Sequence, residues 1–384
     1  MSELLIKGGH VITPIEERMT DVTVENGRIT SIGPVSSKAA DVDASGCYVT
    51  PGLFDLQVNG GTQCDFWGDP DEKQVFDFAE SLARVGVTAI LPTLITDDIE
   101  HLRKNIEFLE KRVGVGVSSL EPAAVSGKSR SASGSTAAAA LKERRLPVRM
   151  PGIHLEGPCL SPEKPGVHPK QHIAPLSLAV LERIIVEPVK LITLAPEKDP
   201  SGKTLEFLKQ RGVVISLGHS NATLDEAQQA FNRGVTMMTH TFNALPPIHH
   251  REPGAVTAAL LDERIFCCII CDGLHVSPAA AKLVFRSKGT ARSILVTDIA
   301  HIGTSQGKLV GSSITLDMAV RNAVKWGALT FQQAIQAATY NPARAMGMDH
   351  AIGHIAPGKL ADLVIWDKQT LEIKHVITGG DLLF

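Results

Sequence analysis

Between residues 53 and 297, short apolar runs alternate with amphipathic segments, and the alternation recurs eight times. The apolar runs are Leu53–Gln57, Ala89–Leu94, Gly152–Glu156, Lys190–Ala195, Val213–Leu217, Val235–Thr239, Phe266–Cys271 and Ile294–Thr297. They are short and almost continuously hydrophobic, as parallel strands covered on both faces are. Helical patterns fill most of the gaps, at Val75–Val85, Ile99–Lys111, Leu178–Ile185, Leu205–Arg211, Leu224–Arg233 and Pro278–Lys288. Parallel strands joined by crossover helices have few solutions, and eight of them predict a closed (β/α)8 TIM-like barrel. A doubly wound open sheet is the alternative. No G-x-G-x-x-G or P-loop glycine pattern accompanies the strands to support it.

The two ends of the chain have a different texture. Val22-Thr23-Val24-Glu25-Asn26-Gly27-Arg28-Ile29 alternates and is broken by Asn-Gly, a hairpin signal. Leu360–Trp366 and Ile373–Ile377 return to short strands with turn residues between them. The ends are expected to pair into one small β-sandwich domain. The predicted organisation is residues 1–50 and 346–384 for that domain and 51–345 for the barrel, an α/β fold overall. Val113–Arg149, rich in Ser, Ala and Gly, reads as a surface insertion after the second strand, with a short helix at Ala137–Arg145.

Composition excludes several classes. Net charge is −3, which argues against a nucleic-acid or membrane-surface partner. No apolar run reaches the length of a bilayer span, and the first residues lack the pattern of a secretion signal. The six cysteines follow no disulfide spacing. Cys268 and Cys271 would face opposite sides of one strand, so buried thiols are expected rather than a metal pair. A reducing cytoplasm fits these features.

In a barrel of this kind the chemistry lies at the C-terminal ends of the strands. Gln57, Asn59, Glu156, His219, His240, Asp272, His275 and Asp298 all fall there. His219 and His240 close the two strands of one βαβ unit, whose helix opens with Thr223 and Glu226, a capping box. Neighbouring strands are about 5 Å apart, so the two imidazoles can reach one ion. With Glu156 they form a two-imidazole, one-carboxylate set that suits Zn²⁺ with an open position, and also Fe²⁺ or Mn²⁺. An ion of this kind makes a nucleophile of water near neutral pH. Asp298 can move a proton there, or it can serve as a helix cap or ion-pair partner. His275 can polarise a carbonyl or bind an anion. Arg251, in the loop opened by Asn243 and Ala244, can hold a phosphate, although a loop arginine is also commonly just solvated.

Six motifs occur in order: His154-Leu155-Glu156-Gly157-Pro158, Gly218-His219-Ser220-Asn221-Ala222-Thr223, Thr239-His240-Thr241-Phe242-Asn243-Ala244-Leu245-Pro246, Arg251-Glu252-Pro253-Gly254, Asp272-Gly273-Leu274-His275 and Leu295-Val296-Thr297-Asp298. Together with Pro51–Asp55 and Asn341–Ala345 they resemble the N-acetylglucosamine-6-phosphate deacetylases of the amidohydrolase superfamily. The resemblance implies removal of an acetyl group from N-acetyl-D-glucosamine 6-phosphate. It implies one divalent ion per subunit on Glu156, His219 and His240, zinc first, with iron, manganese or cobalt as alternatives. Asp298 would be the general base and acid, and His275 would polarise the acetyl carbonyl. Asn243, Ala244 and Arg251 would meet the 6-phosphate. Val167, His168 and Asp272 would contact the substrate, and Leu309, Val310 and Gly311 would line the acetyl pocket. The partner is then a small amino-sugar phosphate, and the family is commonly homodimeric.

Three departures qualify the resemblance. Gln57-Val58-Asn59 stands where many amidohydrolases carry His-x-His, and neutral amides are poor ligands, so one ion rather than two is expected. Only about a dozen residues separate Asp298 from Gly311, where the family usually has a longer hairpin. The 113–149 insertion is longer than usual. Two other readings stay open: an amidohydrolase acting on another N-acyl amino-sugar phosphate or a cyclic amide, and a catalytically weak barrel scaffold.

Overall fold

The computed structural model describes residues 3–36, 38–62, 64–113, 146–301, 304–305 and 308–384, with backbone alone for 304–305 and 308–309. The insertion expected at 113–149, with its short helix, lies for the most part outside the described residues.

Eight parallel strands pair in sequence order: Leu53–Val58, Val87–Ile95, Ile153–Glu156, Val189–Leu194, Val214–Leu217, Val235–Met238, Phe266–Ile270 and Ser293–Val296. The last meets the first. Asp298 N–H donates to the Gln57 carbonyl (2.9 Å), and Asn59 N–H donates to the Ile299 carbonyl (2.9 Å), which closes the barrel. Nearly every strand residue is buried, because helices cover the outer face while side chains fill the inside. All six helices expected from the sequence are present. Among the described residues four more cover the barrel: Ala255–Leu261 between the sixth and seventh strands, then Leu316–Lys325, Phe331–Ala338 and Tyr340–Ala345. The helix Leu224–Asn232 begins with the expected reciprocal cap, Thr223 Oγ1 accepting from Glu226 N–H (3.3 Å) and the Glu226 carboxylate from Thr223 N–H (2.8 Å). Among the described residues no helix is long and apolar enough to cross a membrane.

Just below the mouth the barrel interior is polar. His154 Nδ1 donates to the Leu56 carbonyl (3.0 Å), and Nε2 meets Thr193 Oγ1 (2.8 Å). Thr193 Oγ1 lies 2.7 Å from Thr239 Oγ1, which lies 2.6 Å from Ser216 Oγ. Asp55 accepts from the Thr297 hydroxyl (2.6 Å) on the other side. Burial holds the His154 pKa down, at about 4. A neutral imidazole can therefore join the first, third and fourth strands by its own hydrogen bonds, with no charge of its own to offset.

The chain ends do pair. Leu363–Asp367 lies antiparallel to Cys47–Pro51, and Cys47–Pro51 lies parallel to Glu3–Ile12. The result is one mixed sheet holding strands from both ends. Its hairpin turns at Asn26 (φ 51°) and Gly27 (φ 76°), the pair of left-handed residues that a two-residue turn requires.

Arg149, entering the third strand, joins this sheet to the barrel. Its Nε and Nη2 donate to the two carboxylate oxygens of Asp362 (2.6 and 2.9 Å), and both side chains are buried. Arg149→Met leaves that carboxylate buried without its cation. The expected loss is about 3–5 kcal/mol, read as a lower urea midpoint. A midpoint equal to wild type would mean the pair contributes nothing net.

Candidate active site

The mouth of the barrel holds a cavity of about 160 Å³ lined by Asn59, Trp67, Ile95, Glu156, Gly166, Val167, His168, His219, His240, Asn243, Ala244, His275, Asp298 and Gly311. Its reactive groups come from strand ends. Glu156 is the last residue of the third strand, while His219, His240 and Asp298 stand two residues beyond the fifth, sixth and eighth. Those three have φ of 47°, 25° and 52°. The left-handed turn costs a non-glycine residue of order 1–3 kcal/mol, and such strain gathers where side-chain direction matters. Gly166 (φ 57°) shows the same crowding from the loop side. A Cβ there would lie 2.9 Å from His219 Cε1.

Glu156 Oε1 lies 3.2 Å from His219 Nε2 and 2.8 Å from His240 Nε2, and the two nitrogens are 3.1 Å apart. All three side chains are buried. Burial opposes the Glu156 carboxylate, but the two imidazoles hold its pKa well below the usual range. Burial also opposes charge on His240, yet Glu156 raises its pKa. His219 Nδ1 faces the Lys164 carbonyl at 3.0 Å. A carbonyl only accepts, so Nδ1 carries a hydrogen and Nε2 is the nitrogen left to face the other two ligand atoms with a lone pair when it binds an ion. Converging lone pairs and a carboxylate oxygen are the donor set of a divalent cation, so these residues fit one.

His168 stands beside them. Glu156, His168 and His219 present ligand atoms within 4.8 Å of one another. However, His168 Nδ1 accepts from the Thr96 backbone N–H at 3.3 Å. Its neutral ring then carries hydrogen on Nε2, 4.0 Å from Glu156 Oε2, and faces the cavity as a donor. That tautomer favours His240 over His168 as the third ligand.

Asp298 is buried, and burial together with the Glu156 charge pushes its pKa up to about 7. Its Oδ1 accepts from Asn59 Nδ2 at 2.6 Å. Asp272 accepts from His275 Nδ1 (2.6 Å) and from the backbone N–H of Leu274 and His275 (2.8 Å each). Burial opposes the Asp272 charge, but His275 and those amides hold its pKa down.

The cavity thus gathers Asn59, Glu156, Val167, His168, His219, His240, Asn243, Ala244, His275, Asp298 and Gly311 from the residues singled out in the sequence. Asp272 is not on its wall, because its carboxylate is engaged with His275. Arg251 is exposed on its loop and does not line the cavity, and Val310 is buried away from it. The Leu309 side chain lies outside the described residues. Sequence reasoning missed Trp67, Ile95 and Gly166. Trp67 and Gly166 lie in loops without a recognisable period, and Ile95 ends a strand whose apolar run marks no single residue.

The sequence pattern of the amidohydrolase family matches residues 48–383. An N-acetylgalactosamine-6-phosphate deacetylase from Escherichia coli O157:H7 is 30% identical, covering 94% of this chain and 93% of that protein. An N-acetylglucosamine-6-phosphate deacetylase from Bos taurus is 30% identical over 89% of this chain and 85% of that one. Among solved structures, the N-acetylglucosamine-6-phosphate deacetylase of Pasteurella multocida superimposes with a TM-score of 0.84 at 28% identity, over 99% of both chains. A Mycobacterium smegmatis variant in complex with N-acetyl-D-glucosamine-6-phosphate gives 0.84 at 26% identity, over 100% of this chain and 99% of that one. A closed barrel, a carboxylate and imidazoles at its mouth, and a match along most of the sequence lead to one assignment: the chain belongs to the amidohydrolase family.

Proposed function

We propose that this protein hydrolyses the acetamide of N-acetyl-D-glucosamine 6-phosphate, giving D-glucosamine 6-phosphate and acetate. One observation carries the reading: Glu156, His219 and His240 converge in a cavity that also holds Asp298. The names of the relatives supply the substrate class.

In this reading Glu156, His219 and His240 hold one divalent ion, zinc first, with iron, manganese or cobalt as alternatives. Such an ion supplies Lewis acidity for water and for the amide carbonyl when bound. Gln57 and Asn59 are neutral amides and give no second site. Asp298 accepts a proton from the attacking water and returns it to the amine nitrogen as the C–N bond breaks. His275, oriented by Asp272, faces the acetyl oxygen. His168 donates from Nε2 to the sugar. Val167 packs on the sugar, and Gly311 bounds the acetyl methyl. Asn243, Ala244 and Arg251 receive the phosphate. We read the protein as a homodimer, and as cytoplasmic, the free cysteines being in keeping with a reducing compartment.

The test measures bound metal and acetate release from the 6-phosphates of N-acetylglucosamine and N-acetylgalactosamine and from unphosphorylated N-acetylglucosamine. The galacto substrate is the second reading, on the strength of the Escherichia coli relative. The larger kcat/KM decides between the two. A metal-loaded protein that releases acetate from neither phosphate would defeat both. Arg251→Ala should raise KM for a phosphorylated substrate about 10- to 100-fold and leave the unphosphorylated sugar unchanged. Equal effects on both would remove Arg251 from the phosphate site.

A further inference from the structure

Asp298 has a partner, and that partner has one of its own. Asn59 Nδ2 donates to Asp298 Oδ1 at 2.6 Å, and Trp67 Nε1 donates to Asn59 Oδ1 at 3.3 Å. An indole N–H can only donate, so the Asn59 atom that meets it must be the carbonyl oxygen. The amide NH₂ is then left facing Asp298. Without the indole proton, nothing distinguishes the two ends of that amide on its outer side, and the reversed amide would set an oxygen against a carboxylate.

The scaffold fixes Trp67 closely. Its backbone N–H donates to Asp65 Oδ1 (2.9 Å). Asn105, on the helix Ile99–Glu110, donates to the carbonyls of Phe66 (3.4 Å) and Gly68 (3.0 Å) on either side of it. Phe66 is buried edge-on against Phe78 and returns its own N–H to the Asn59 carbonyl (3.0 Å). The backbone of Trp67 is thus held at both flanking peptides, and its side chain lines the cavity.

We propose that Trp67 is a positioning residue for the deacetylation: its N–H fixes the Asn59 amide, which holds Asp298 Oδ1 and leaves Oδ2 to take and return the proton. The inference rests on the deacetylase reading. The proton passes from water to Oδ2 and from Oδ2 to the departing nitrogen, and Trp67 itself exchanges none.

Trp67→Phe keeps an aromatic ring, smaller than the indole, and removes the donor. The expected result is a kcat about fivefold lower, the size of one neutral hydrogen bond, with KM within about twofold. Asn59→Ala should lower kcat further, and adding Trp67→Phe to it should change nothing more. An unchanged kcat in folded Trp67→Phe, a loss carried by KM alone, or an equal loss in both backgrounds overturns the proposal. Where Trp67→Phe folds poorly, 3-benzothienylalanine at position 67 replaces the N–H by sulfur and gives the same comparison. A readout independent of turnover separates failure of the relay from failure of the deacetylase reading. The chain has three tryptophans, so the Trp67 indole ¹⁵N–¹H resonance can be assigned by its loss in Trp67→Phe. Asn59→Ala should shift that resonance. An unmoved resonance overturns the contact even if the wild type releases no acetate.

Discussion

Asp298→Asn is expected to lower kcat about 10²–10⁴-fold while the protein keeps its fold and its metal. The carboxylate sits at the end of the eighth strand with Oδ1 engaged by Asn59. Asparagine fills the same space but cannot accept a proton and hand it on. It also sets an amide beside the Asn59 amide, so part of the loss is positional. Asp298 is not one of the three convergent ligands, so bound metal should stay near one ion per chain. The measurement is steady-state acetate release beside metal analysis and a thermal melt. A kcat within about tenfold of wild type would remove Asp298 from the proton path.

Glu156→Ala is expected to do something different: it should empty the site. The carboxylate bridges His219 and His240 at 3.2 and 2.8 Å, and its removal leaves two imidazoles facing each other with no anion between them. Metal content should fall to a small fraction of one per chain, and activity about 10³-fold or more. The thermal midpoint measured with excess metal should also fall, because an ion that binds only the folded state stabilises it by mass action. In a chelator the melting difference between variant and wild type should shrink. If Glu156→Ala binds metal as tightly as wild type, the ligand set lies elsewhere, and His168 becomes the first residue to examine. The two variants part on one readout, since Asp298→Asn keeps the ion and Glu156→Ala loses it.

The barrel was legible because its strands are covered on both faces and so read as largely apolar runs. Phe266–Ile270 shows this plainly. Glu156, His219, His240 and Asp298 were legible because a polar residue ending such a run has one place to go. The helix Ala255–Leu261 was not. It is apolar almost all round, and Gly254 offers no side-chain cap, so it carries neither period nor start signal. The contacts of Asp272 and Trp67 were hidden for another reason. Asp272 lies in the same motif as His275, and only the folded structure shows its carboxylate on the His275 ring. Trp67 reaches Asn59 across a loop, by a contact that leaves no mark in the spacing. Nor does sequence announce that histidine and aspartate at three strand ends adopt left-handed backbone.

The sheet built from both termini bears on how the molecule is made. Cys47–Pro51 leaves the ribosome some three hundred residues before its neighbour Leu363–Asp367. Until then its free edge is open to any extended peptide nearby. Synthesis halted shortly before that neighbour would leave a nascent product with most of its barrel made and an adhesive flank, a natural client for chaperones.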